Sequence, residues 1–215
     1  MGFTLGFSAG VMLHVSFVEL LPAAVEGLDF LRAHLAFFAG MGLLFLVDMF
    51  VPHEFAGHED HTEKQGKLVR TGLLVALGIA IHNFPEGLAT FAGTMMEERL
   101  GGAIAVAIAI HNVPEGLAVA APIYAATGKP GKAFKWALLS GLSEPAGAAL
   151  AALVLWPFLT PGVVAFFLGL VAGFMVSIAV DELVPAAKEF HHDHVPILGV
   201  ILGSMLMAAS LWMLR

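Results

Sequence analysis

The chain encodes an all-α, polytopic transmembrane helix bundle, and three observations predict it. Of its 215 residues 59% are hydrophobic and only 13% are charged. The apolar residues fall into seven stretches, near 2–24, 34–51, 69–94, 100–123, 133–156, 162–187 and 196–214. Each is close to the roughly 20 residues that an α-helix needs to cross about 30 Å of hydrocarbon. Finally, the 24 glycines exceed what a soluble core of this size needs and suit closely packed membrane helices. Little is left over for a soluble domain, so residues 1–215 read as a single transmembrane domain.

The first stretch lacks the basic start of a secretory leader and runs on beyond the usual cleavage length, so it reads as a mature span. The second to seventh follow with short connections. There is no cysteine, which excludes disulfides, thiolate metal sites and thiol redox chemistry. A formal charge of −7 argues against nucleic acid as a partner. Lipid is the expected surroundings. Lys64, Lys67 and Arg70 precede the third span, Lys129, Lys132 and Lys135 the fifth, and Lys188 follows the sixth; the opposite side has Arg32, Arg99 and Arg215. The positive-inside rule then places the N-terminus of this chain in the cytoplasm and its C-terminus outside.

Two internal repeats organise the chain. HNFPEGLAT at 82–90 returns as HNVPEGLAV at 111–119, near the middle of consecutive and therefore antiparallel spans. A shorter pair, ELLPAA from Glu19 and ELVPAA from Glu182, closes the first and sixth spans. Inverted pairs around a midplane site are the architecture of many secondary transporters. If the first span mirrors the sixth and the second the seventh, the fifth has no mirror partner. The pattern therefore predicts one more helix before residue 1.

Helix geometry supplies the chemistry. Residues four apart share a face, so His82 lies beside Glu86 and His111 beside Glu115. Asn83 and Asn112 stand three residues before the same carboxylates, which lets each Glu bridge a His-rich and an Asn-rich position, and two adjacent metal positions become feasible. Pro85 and Pro114 each remove a backbone donor, while Gly87 and Gly116 permit close helix approach. Glu86, Glu115 and Glu144 at mid-span would cost about 2.5–3.5 kcal/mol each on insertion scales. No Lys or Arg occurs from 71 to 98 or from 100 to 128 to offset the charge. A cation or shared protons must do so, and imidazole with carboxylate suits Zn(II), Fe(II) and Mn(II).

The paired HNxPEG motifs, the Glu144 segment GLSEPAG and the segment DELVPAAKE together resemble the ZIP (Zrt-/Irt-like) metal transporters, of the ZupT type within the GufA branch, over the whole chain. The resemblance implies a fold of eight helices arranged three, two and three, of which this chain resembles the second to eighth. It further implies a two-metal centre in which His82, Glu86, His111 and Glu115 form one site. Asn83, Asn112 and Glu144, with the bridging Glu86 and Glu115, form the other. Zinc is the expected cargo, with Fe(II), Mn(II) and Cd(II) as further ions and no resident catalytic cofactor. Transport is expected into the cytoplasm across a bacterial inner membrane, without ATP, by an elevator-like movement, in a homodimer.

Asp181 and Glu182 match a family exit region, and by symmetry Glu19 stands at the outer entrance; both ends also read as solvated helix termini. His14 reads either as a pathway residue or as a hydrogen-bonded core residue. His53, His58 and His61, in HEFAGHEDH at 53–61, are expected to collect released metal or simply to line a polar loop. Two other functions fit some features. A membrane-embedded di-metal enzyme would favour Glu-x-x-His spacing, which is not the spacing here. A metal sensor without transport leaves the mid-span ligands and inverted repeats unexplained.

Overall fold

Among the described residues seven helices follow one another, and local chemistry sets their ends. They are α1 (Gly2–Gly27), α2 (Phe30–Phe50), α3 (His61–Met96), α4 (Gly101–Thr127), α5 (Pro130–Leu155), α6 (Pro161–Phe190) and α7 (Val195–Leu214). This computed structural model describes residues 1–50, 61–96, 101–190 and 193–214. Between α1 and α2, Asp29 accepts the backbone N–H of Arg32 at 2.8 Å and pairs with the Arg32 guanidinium at 3.1 Å. The start of α2 is thereby capped. Between α4 and α5, Gly128 takes the left-handed φ of 63° that ends a helix, and Pro130 begins the next one at N1. Thr160 caps α6 by accepting the Val163 N–H at 3.3 Å, with Pro161 at N1. Thr160→Ala is expected to cost about 1 kcal/mol, readable as a lower thermal midpoint in detergent with unchanged metal handling.

Among the described residues, five helices contain segments long and apolar enough to span a bilayer: Gly2–Gly27, Leu68–Leu88, Pro130–Leu155, Pro161–Phe190 and Val195–Met213. Phe30–Leu46 is a shorter apolar segment. The 27-residue α4 measures roughly 40 Å at 1.5 Å per residue, although the side chains of its first half lie outside the described set. Outward-facing residues are large and apolar, with Leu153 83%, Trp212 79% and Phe134 66% exposed. Such a surface is suited to lipid. The core runs through the centre of the bundle, built from residues such as Leu5, Met12, Ile79, Met175, Ile178 and Leu183.

The helices pack as two groups. In the first, α1 lies along α7, α2 lies along α6, and α1 meets α6. In the second, α3, α4 and α5 pack against one another, joined to the first by α3 on α6 and α4 on α1. The crossings repeat with one constant displacement along the sequence. Gly6 and Gly10 of α1 press on the backbone of Pro196 and Val200 in α7, and Gly169 and Gly173 of α6 press on Ala33 and Phe37 in α2. The reciprocal glycines also correspond, Gly203 against Phe7 and Gly40 against Leu170. The displacement that carries Glu19 to Glu182 relates every one of these pairs. The pairing of first with sixth and second with seventh spans is therefore a packing relationship as well as a sequence one.

The shorter repeat has its own local structure. Ser16–Leu20 in α1 and Ile178–Leu183 in α6 are π-helical, with Leu21 N–H donating to Ser16 O and Val184 N–H to Ala179 O, five residues back. Pro22 and Pro185 stand two residues beyond the last residue of each. A proline ring crowds the carbonyl four residues before it and offers no N–H, and a widened turn relieves both problems. Glu19 lies in the first π turn, and Asp181 and Glu182 in the second.

Candidate metal centre

The two HNxPEG copies bring their polar side chains to one buried point between α3 and α4. His82 is 0%, Asn83 2%, Glu86 5% and Glu115 1% exposed. His82, Glu86 and Glu115 each offer a ligand atom, and these atoms all lie within 4.8 Å of one another. The imidazole is aimed by its own helix: Nδ1 sits 3.0 Å from Gly78 O, an atom that only accepts, so Nδ1 carries the proton. Nε2 then turns a lone pair toward Glu115 Oε1, 3.3 Å away. Two acceptors at that distance repel unless a cation, a shared proton or a third group's N–H stands between them. Fixing the outer ring nitrogen on a carbonyl while the inner one faces carboxylates is how metal-binding histidines are oriented.

Asn83 reaches the same point. With its amide nitrogen turned inward it donates to Ile79 O at 3.1 Å, His82 Nε2 at 2.9 Å and Glu115 Oε2 at 3.2 Å. With its oxygen inward it adds one more lone pair to those of His82 and Glu115, which again calls for a cation. A second polar contact joins α4 to α5, where Asn112 Nδ2 donates to Glu144 Oε2. The other amide atom, Asn112 Oδ1, is buried and meets no donor. Glycines set the helix spacing here as well: a Cβ on Gly87 would run into the Glu144 carbonyl, and one on Gly147 into that of Phe84. The α5 backbone is thus seated directly beside the turn that carries Glu86. On α4 the equivalent Gly116 has nothing among the described residues within 4 Å of such a Cβ. It lies on an apolar groove of about 720 Å³ shared with Asn112, Val113, Tyr124 and Phe134.

A buried His, Asn and two Glu on antiparallel, proline-bearing helices, with glycines closing the helix contact, is the arrangement that known sequences then place. The profile of the ZIP zinc transporter family matches residues 51–211. The chain belongs to the ZIP family. It is 48% identical to the zinc transporter ZupT of Corynebacterium efficiens, over 97% of this chain and 84% of the relative. It is 49% identical to the ZupT of Chlorobium limicola, over 99% and 86%, and 46% identical to that of Streptococcus mutans, over 97% and 84%. It is thus an integral membrane protein of a transporter family and not an enzyme, which settles the choice against a membrane-embedded di-metal enzyme.

Within this ZIP chain, the expected ligands divide by position. His82, Asn83, Glu86 and Glu115 converge, and Asn112 and Glu144 form a contacting pair one helix over. His111 lies in α4, and its side chain lies outside the described set. Glu19 and Asp181 are exposed and Glu182 and His14 half-buried; none of them joins the buried cluster among the described residues. His53 and His58 lie outside the described residues. His61, expected in the loop, instead begins α3 in its backbone. The helix starts that early because the segment from His61 to Arg70 is rich in good helix formers, Glu63, Lys64, Gln65, Lys67 and Leu68. One buried contact to the motif carried no signal in the sequence. Ser8 of α1, itself 0% exposed, donates to the Pro114 carbonyl at 2.7 Å.

Proposed function

We propose that this protein carries Zn(II) into the cytoplasm without ATP, through a midplane centre in which Glu86 and Glu115 bridge two metal positions. The supporting observation is the convergence of His82, Glu86 and Glu115 within 4.8 Å, buried, on helices that carry no Lys or Arg beside them. Removing charged ligands from water is costly, and here only the cargo or protons offset that cost. In this reading His82, Glu86, His111 and Glu115 hold one ion. Asn83, Asn112 and Glu144 complete the other with the same two carboxylates. Nitrogen with carboxylate oxygen favours Zn(II), and accepts Fe(II), Mn(II) and Cd(II) more readily than Mg(II) or Ca(II), whose sites are all oxygen.

The relatives' name, zinc transporter, supports the same cargo. The membrane is the bacterial inner membrane, with the N-terminus of this chain inside. That orientation rests on the basic residues, among which Lys129, Lys132 and Lys135 are exposed at the start of α5. Glu19 would then meet the ion outside and Asp181 and Glu182 would receive it inside. His14 stands between those ends, and His53, His58 and His61 would collect ions on the cytoplasmic side. The working unit is a homodimer.

Uptake of radiolabelled zinc into proteoliposomes tests this reading, with Glu144→Gln beside the wild type. Saturable wild-type uptake without ATP is expected, and a fall of about tenfold in the variant, which keeps the first position intact. Stoichiometric binding with no flux in folded wild type would replace transport by sensing.

A further inference from the structure

Ser8 sits midway between Gly6 and Gly10, but on a different side of α1. The two glycines press against α7, whereas the Ser8 hydroxyl crosses to α4. A serine in a membrane helix usually returns its proton to the carbonyl four residues back. Here Oγ lies 3.1 Å from that carbonyl, Thr4 O, but 2.7 Å from Pro114 O. The shorter contact is the one between helices. Pro114 lies in the turn that carries Asn112 and Glu115, and its carbonyl has a second lone pair beyond the one used by the helix ladder. The contact is also one-sided: the displacement that relates α1 to α6 takes Ser8 to Val171, which is equally buried but has no hydrogen to donate. The inverted repeat therefore conserves the glycine crossings of this face while placing a polar tie on the α4 side alone. A hydroxyl that only filled space would need no partner there.

We propose that Ser8 is a positioning residue for the metal centre. Its hydrogen bond sets the height and rotation of the Pro114 turn, and so keeps Glu115 in register with His82 and Glu86 on α3. The inference rests on the reading of that cluster as the zinc site. It does not require the site to transport.

Thr and Val have nearly the same shape, so comparing Ser8→Thr with Ser8→Val isolates the hydroxyl from any effect of the added methyl. Zinc affinity is measured in detergent by competition with a fluorescent chelator, uptake is measured in proteoliposomes, and thermal midpoints are recorded for all three proteins. Ser8→Val is expected to weaken zinc binding and raise KM about tenfold relative to Ser8→Thr, with Vmax and thermal midpoint matched between the two, the lower end of what losing an outer partner of a metal ligand costs. Equal affinity and KM in the Thr and Val variants would overturn the proposal. So would a loss confined to Vmax, or one that follows the thermal midpoint. Wild type that binds zinc without transporting it, with the Thr and Val variants still differing in affinity, would remove transport and leave the role of Ser8 standing. Wild type that binds no zinc would overturn both.

Discussion

Glu115→Ala is expected to reduce zinc uptake by about 100-fold or more while leaving the amount of folded protein in the membrane unchanged. Outer partners of a metal ligand already cost 10–100-fold when lost, and here a ligand itself is removed. Glu115 is 1% exposed, its Oε1 faces His82 Nε2 at 3.3 Å, and its Oε2 lies within reach of the Asn83 amide. Two of the converging side chains, His82 and Asn83, therefore lose their common partner at once. The fold, by contrast, has little to lose. A carboxylate at the centre of a span costs about 2.5–3.5 kcal/mol on insertion scales, so its removal relieves the empty protein of that cost. The signature is a split: the variant melts at or above the wild-type temperature without zinc, and loses the rise in thermal midpoint that a bound ion confers. Uptake assays alongside zinc-dependent melting curves check both halves. Retention of more than a tenth of wild-type uptake would remove Glu115 from the ligand set.

The second large effect comes from two glycines with the same place in the motif. Gly87→Ala is expected to abolish uptake and lower the thermal midpoint, whereas Gly116→Ala leaves both near wild type. A methyl at 87 meets backbone, the Glu144 carbonyl and the Ala148 nitrogen, and backbone cannot rotate aside as a side chain can. Overpacking of this kind costs about 1–3 kcal/mol and pushes the helices apart. Because Glu144 is the residue displaced, the second metal position is lost along with stability. At 116 the methyl meets no atom of the described residues within 4 Å, in the groove on α4. Similar losses at the two positions would contradict the packing of α5 on α3 described above.

How much of this was legible in advance differs from one residue to the next, for physical reasons. His82 and Glu86 could be placed on one face directly, because i, i+4 spacing forces it, and Glu115 drew notice because charge at mid-span demands an explanation. The approach of Glu115 and Asn83 to His82 was not in the spacing, which linked Glu115 to His111 and Asn83 to Glu86. Nor was the distance between helices, since it depends on which glycines meet which carbonyls. The Gly6–Gly10 and Gly169–Gly173 pairs carry the small-xxx-small signature of close helix crossings, yet that signature does not name the opposing helix. The repeats made the two crossings equivalent without naming them: once the structure sets α1 on α7, the same displacement sets α6 on α2. The π turns were foreshadowed only by Pro22 and Pro185, which signal a disturbed helix without saying how it relaxes. Ser8 had no signal, because one serine in an apolar span has no spacing to read. His61 was placed in a loop on the strength of its histidine-rich neighbours, while the helix-forming residues after it decided the outcome.

The central claim is that zinc is held between α3 and α4 by the paired motifs. Zinc-edge anomalous scattering from crystals of the zinc-loaded protein tests it most directly, because it locates the ion without reference to transport. A peak about 2.0–2.2 Å from His82 Nε2 and from carboxylate oxygens of Glu86 and Glu115 is the predicted result. Zinc found only elsewhere, at the histidines of segment 53–61 for example, with no density between the two motif helices, would contradict it.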